Sequence, residues 1–163
     1  MTLWMWILIA LIIGQRLLEL RIAKQNEIWM KERGAIELGA KHYKWFVILH
    51  ICFFLSIIFE ASLTNKTIIS LNYYILTLLV ITQIFRFWCI FTLGRFWNTK
   101  IIVLPRVSPI KKGPYKYVKH PNYLIVAIEL FLIPLLFHAY LTAILFPILH
   151  TILLCVRIPI ENK

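Results

Sequence analysis

Long apolar runs alternate with short polar segments along the whole of this chain. The runs fall at about 3–22, 45–63, 68–93, 122–137 and 139–157, most of them close to the roughly 20 residues that a helix needs to cross hydrocarbon. Inside them polar residues are sparse. The pattern predicts an all-α integral membrane protein with about five transmembrane helices, folded as a single domain over 1–163. Thr64-Asn65-Lys66-Thr67 reads as a tight turn between the second and third spans. His138-Ala139-Tyr140 reads as a short hairpin between the fourth and fifth, and Pro134 and Pro147 are expected to kink those helices.

The connecting segments differ in charge. Lys24, Lys31, Arg33, Lys41 and Lys44 lie between spans one and two, with Glu27, Glu32 and Glu37. Part of that stretch, with Ile28, Trp29 and Ile36, is expected to form an amphipathic helix on the membrane surface, interrupted by Gly34 and Gly39. Between spans three and four come Arg95, Lys100, Arg106, Lys111, Lys112, Lys116 and Lys119, with no acidic residue. The positive-inside rule makes both basic segments cytoplasmic, which puts the N-terminus outside and the C-terminus inside. A bacterial cytoplasmic membrane is the expected location.

Composition sharpens this picture. Of the 163 residues 61% are hydrophobic, the mean hydropathy is +0.79 and the formal net charge is +11. So high a positive charge usually suggests nucleic acid, but here the cations are gathered between apolar runs and no recognition module accompanies them; nucleic-acid binding is excluded as a reading. Cys52, Cys89 and Cys155 all lie within apolar runs without Cys-x-x-Cys spacing, which argues against a disulfide framework and against a zinc site. The first apolar stretch has no preceding basic region and no small-residue cleavage site, so it reads as a retained helix.

Polar residues inside the spans form a layer. Gln15, Arg16 and Glu19 lie in the second half of span one, Gln83 and Arg86 in the second half of span three, and Glu129 about eight residues into span four. At roughly 1.5 Å per residue these depths match. Ionisable groups in hydrocarbon require partners, so Glu129 is expected to pair with Arg86 or Arg16, and both Arg86 and Glu129 are candidate substrate contacts. Glu60 reads as interfacial, and His42, His50, His138 and His150 as ordinary loop or packing histidines.

The densest polar stretch is Gly113-Pro114-Tyr115-Lys116-Tyr117-Val118-Lys119-His120-Pro121-Asn122-Tyr123. Gly113-Pro114 predicts a turn, and Pro121 holds His120 extended while opening a helix. His120 and Tyr123 therefore sit at the mouth of span four. Arg157-x-x-x-Glu161 ends span five at the same level. A cation and a carboxylate there can hold an anionic group and an ammonium group separately.

These segments together resemble the isoprenylcysteine carboxyl methyltransferase family, whose pattern runs Gly-x-Tyr, Arg-His-Pro-x-Tyr and a terminal Arg-x-x-x-Glu. Gly14-Gln15-Arg16-Leu17-Leu18-Glu19 and Gly39-x-x-His42-Tyr43 are similar to its short bacterial branch, which is associated with type III polyketide synthases and O-methylates alkylpyrones. The resemblance implies S-adenosylmethionine as methyl donor, a lipophilic membrane-embedded acceptor, and a functional link to such a synthase. It implies a cytoplasmic-side cofactor site, built from the loop before helix four and the C-terminal end of helix five. Cofactor contacts fall by position on Val107, Ser108, Pro109, Ile110, Tyr115, His120, Pro121, Asn122, Tyr123 and Glu161, and the substrate contact on Arg157. His120, Arg157 and Glu161 are the residues expected to support catalysis. Lys119 stands where the family has arginine, which replaces a planar fork by a point charge. The segment 107–110 lacks the family's usual histidine and threonine, and the tail beyond Glu161 is expected to be short.

The expected activity is O-methylation of an alkylpyrone hydroxyl or an isoprenylcysteine-type carboxylate. The alternatives are a phospholipid N-methyltransferase or sterol-type reductase of related architecture, and a non-enzymatic transporter or membrane subunit that uses the polar layer for packing.

Overall fold

A computed structural model describes residues 1–64 and 70–162. Five helices dominate it: α1 (Leu3–Lys31), α2 (Ala40–Leu63), α3 (Tyr73–Leu93), α4 (Pro121–Leu136) and α5 (Tyr140–Glu161). Four are long and apolar enough to cross a membrane, and α4, at 16 residues, is shorter. Large apolar side chains such as Leu11, Leu55, Phe59, Phe91 and Leu141 remain exposed along them. In water that surface would aggregate; facing acyl chains it is the expected lipid belt. The protein is an integral membrane protein.

The apolar core lies towards the end that holds the start of α1 and the α4–α5 turn. Met5, Ile9, Phe53, Ile57, Ile133, Leu136, Phe137 and Phe146 interlock there. Glu60 closes that end. Its carboxylate accepts from the free N–H groups of Leu141 (2.8 Å) and Thr142 (2.9 Å) and from the Thr142 hydroxyl (2.6 Å), and so caps α5. A carboxylate at a helix N-terminus satisfies orphan donors and meets the positive end of the dipole. Its role as a cap goes beyond the interfacial one read from the sequence.

The other end departs from the expected pattern in three ways. First, α1 does not stop near residue 22 but continues to Lys31, so no separate surface helix forms. Glu27 makes this extension tolerable: it is 3% exposed, and Lys31 (2.7 Å) and Lys100 (3.2 Å) neutralise it. Asn26 fastens the same turn to the end of α3 by donating to the carbonyls of Trp97 (2.8 Å) and Gly94 (3.2 Å). Second, Ile36–Leu38 (β1) pairs antiparallel with Ile101–Val103 (β2), with Glu37 opposite Ile102. Three-residue strands brought together from two loops leave almost no local signature. Third, α5 runs through Pro159 to Glu161, so Glu161 lies on α5 itself, one helical turn from Arg157, rather than beyond a span that ends at residue 157. Within the expected 64–67 turn, residues 65–67 lie outside the described residues.

Candidate functional site

Two groups of polar side chains interrupt the apolar packing. The deeper one joins α1, α3 and α4. Arg86 straddles Glu19, donating from Nε at 2.7 Å and from Nη2 at 2.5 Å, and reaches Glu129 from Nη1 at 3.3 Å. Arg16 donates to the same two carboxylates, to Glu19 at 3.1 Å and also to Glu129. Gln83 donates to Glu129 at 2.7 Å, and Gln15 joins Gln83 (2.6 Å) to Glu19 (3.1 Å). Two cations and two anions thus close on one another, and each carboxylate oxygen has a donor. Among the described residues, no hydrogen bond or ion pair leads from this network to Arg157, His120 or Glu161. Arg86 and Glu129 are brought together with Arg16, as the spacing suggested, but their charges are spent within the network.

The second group lies where α4 begins and α5 ends. Gly113, with φ of +55°, turns the preceding segment back against α3. A Cβ there would stand 2.8 Å from Thr92 Oγ1 and 3.1 Å from Trp88 Nε1, so only glycine permits this approach. The short 3₁₀ turn Gly113–Lys116 then presents Tyr115, whose phenol accepts from Asn122 Nδ2 at 3.0 Å. Burial pushes the Tyr115 phenol well above the ordinary tyrosine range, so it stays protonated and can donate. Pro121 occupies the first position of α4, where its missing N–H costs nothing.

His120 and Tyr123 stack with ring centroids 5.3 Å apart. Glu161 meets both across the gap: its carboxylate accepts from the Tyr123 hydroxyl and lies 3.7 Å from His120 Nδ1. One turn earlier on α5, Arg157 donates from Nη2 to the Thr99 carbonyl at 2.5 Å. Its guanidinium lies 4.8 Å from the centre of the Phe46 ring and 5.5 Å from that of Tyr123. Among the described residues, no carboxylate lies within ion-pair distance of Arg157. His120 Nε2 and Arg157 Nε are both buried without a hydrogen-bond partner. Buried polar atoms left unpaired are costly, and they mark where an external partner fits.

Arg157 also walls a pocket on its other side. That pocket holds about 260 Å³ of empty volume, part of it open to solvent, and Gly39, His42, Tyr43, Phe46 and Lys100 share its lining. Tyr43 is fixed by a 3.1 Å hydrogen bond to Thr99, the residue whose carbonyl also holds Arg157. Thr99 and Phe46 carried no sequence signal, whereas Gly39-x-x-His42-Tyr43 was already visible as a motif. By contrast, Val107, Ser108 and Pro109 are exposed on an irregular strap and Ile110 is half-buried. Among the described residues, no hydrogen bond links these four to Tyr115, His120 or Glu161.

The sequence profile of the isoprenylcysteine carboxyl methyltransferase (ICMT) family matches residues 73–163, which carry α3, α4, α5 and the residues Tyr115, His120, Tyr123, Arg157 and Glu161 of this mouth. The chain belongs to that family. ICMT proteins are methyltransferases that use S-adenosylmethionine as methyl donor, so the chain is a membrane methyltransferase by family. It is 49% identical over 158 residues to the uncharacterized protein YpbQ of Bacillus subtilis (strain 168), covering 97% of this chain and 94% of that one. An uncharacterized protein of Haemophilus influenzae is 31% identical over 155 residues, covering 94% of this chain and 90% of that one. No solved structure matches the chain.

Proposed function

We propose that this protein is an S-adenosylmethionine-dependent O-methyltransferase acting on a lipophilic acceptor, with its cofactor held between Tyr115, His120, Asn122, Tyr123 and Glu161. One observation carries the reading: the Glu161 carboxylate faces His120 and Tyr123 where α4 begins and α5 ends, and two buried nitrogens of this mouth, His120 Nε2 and Arg157 Nε, have no hydrogen-bond partner. A carboxylate, flanking aromatic rings and unfilled polar atoms suit a ligand that carries an ammonium group and a heteroaromatic ring. Bound there, S-adenosylmethionine would supply an electrophilic sulfonium methyl, with the acceptor's C–O bond forming as the C–S bond breaks and S-adenosylhomocysteine leaving.

The chain's own residues then have three tasks. Glu161 pairs with the donor's ammonium, and Tyr123 and His120 hold that carboxylate in place. Tyr115, kept protonated by burial, donates a hydrogen bond to a polar edge of the cofactor. Arg157 orients the acceptor's oxyanion, which reaches it through the pocket beside Gly39, His42 and Tyr43. Alignment and exclusion of water provide the rate enhancement, and an already acidic oxygen needs no strong base.

An arginine beside apolar spans suits a small anionic head, either a single carboxylate or one ring bearing an ionised hydroxyl, on an apolar tail that lies among the spans. An isoprenylcysteine-type carboxylate and an alkylpyrone hydroxyl both meet that description. For the pyrone, a type III polyketide synthase is the expected source. The charge of the two basic segments supports an orientation with the N-terminus outside and this site at the cytoplasmic face.

Radiolabelled methyl transfer tests the reading. The purified protein is incubated in nanodiscs with labelled S-adenosylmethionine and either farnesylated N-acetylcysteine or a long-chain alkylpyrone. Label in the organic phase, lost in Glu161→Ala and in Arg157→Ala, is the expected result. Label that persists in both variants would contradict the assignment.

A further inference from the structure

Residues 104–119 form a strap between β2 and α4 whose surface has a composition of its own. Arg106, Lys111, Lys112, Lys116 and Lys119 are all exposed along it, and it contains no acidic residue. Between these cations, Val107, Tyr117 and Val118 are 46%, 78% and 43% exposed. By contrast, Lys24, Lys31 and Lys100 all converge on Glu27. The strap's cations have no acidic partner among the described residues. Lys116 lies 5.8 Å from the centre of the Tyr117 ring. The strap ends where α4 enters the apolar region, so it lies at headgroup level, where aromatic and basic residues partition together.

We infer that this strap docks onto anionic phospholipid headgroups of the surrounding bilayer. The cations meet phosphates while Tyr117, Val107 and Val118 sink into the boundary between headgroups and acyl chains. Uncompensated positive charge, exposed apolar side chains and a position at the membrane surface select an acidic lipid over a soluble anion, because only a bilayer meets all three. The inference goes beyond the proposed methyl transfer and does not depend on it. Its consequence is regulatory: the strap carries Tyr115 and leads directly into His120, so lipid that orders the strap also orders that side of the mouth. Gly113, wedged against Thr92 and Trp88, is the fixed point about which the strap lies.

Amide hydrogen exchange tests this without cofactor or acceptor. The protein is placed in nanodiscs of phosphatidylcholine alone and of phosphatidylcholine with about one-third phosphatidylglycerol, and exchange is followed over residues 106–119. The expected result is roughly fivefold or greater slowing in the anionic discs, reversed by high salt. Lys111→Gln/Lys112→Gln/Lys116→Gln should abolish the slowing, with α4 amides as protected as in wild type. Equal exchange in the two discs would overturn the inference, as would slowing that survives the triple substitution. If α4 loses protection in the triple variant, the single substitutions Lys111→Gln and Lys112→Gln replace it, and each should remove part of the effect.

Discussion

The deep network around Arg86 and the mouth around Arg157 each contain arginine and glutamate, yet they are built on opposite principles. Around Arg86, two arginines, two glutamates and two glutamines use one another's donors and acceptors. Around Arg157, the guanidinium rests on a carbonyl and two aromatic rings, and Nε together with His120 Nε2 is left open. A closed network holds helices in register; an open one is shaped for something that comes from outside. Charge in a membrane helix therefore signals function only when its valences are unfilled.

Breaking the closed network should cost most. Arg86→Leu leaves Glu19 and Glu129 sharing one arginine, and should destabilise the protein by about 3–5 kcal/mol, read as a large fall in Tm in detergent. Arg86→Met combined with Glu19→Met removes the charges as a pair and leaves the Arg16–Glu129 pair intact, and should recover most of that loss. Failure to recover would mean that the network does more than pack.

At the open site the order of effects reverses: binding suffers and stability does not. Glu161→Ala removes a charge-assisted contact, and should weaken S-adenosylhomocysteine binding by roughly 10- to 100-fold with Tm almost unchanged. Arg157→Lys keeps the charge but loses the planar fork. It should lower methyl transfer about tenfold while leaving S-adenosylhomocysteine affinity at the wild-type value, a split that a purely structural arginine would not give. The smallest expected effect is Glu60→Gln, whose single amide oxygen can still accept from α5 but which loses the charge and one acceptor at the helix N-terminus. It should cost about 0.5–1 kcal/mol in thermal unfolding and leave cofactor binding alone, because it acts at the far end of the protein.

Much of this contrast is legible in the sequence. Five apolar runs specify five helices because burial in hydrocarbon leaves the backbone little choice. Matching depths along three spans were enough to put Glu129 beside Arg16 and Arg86. His120 and Glu161 could be placed at one level because the start of span four and the end of span five, joined by a short hairpin, lie on the same side. What escaped was non-local or compensated. The i,i+4 spacing of Glu27 and Lys31 fits a continuing helix, but nothing near Glu27 shows that Lys100 joins them, so the charged continuation of α1 reads as a connecting segment with a separate surface helix. The pairing of Glu37 with Ile102 joins residues far apart in sequence through strands of three residues each. Thr99, which fixes both Tyr43 and Arg157, acts through its carbonyl as well as its hydroxyl, and a carbonyl has no sequence signature.

The central claim is that the open site binds the methyl donor. Calorimetric titration of S-adenosylhomocysteine into purified wild type, His120→Ala and Glu161→Ala, with thermal unfolding recorded on the same samples, tests it most directly. The account predicts saturable binding by wild type, severe weakening in both variants, and unchanged unfolding. Absence of binding by wild type in detergent and in nanodiscs alike, or wild-type affinity in both variants, would contradict it.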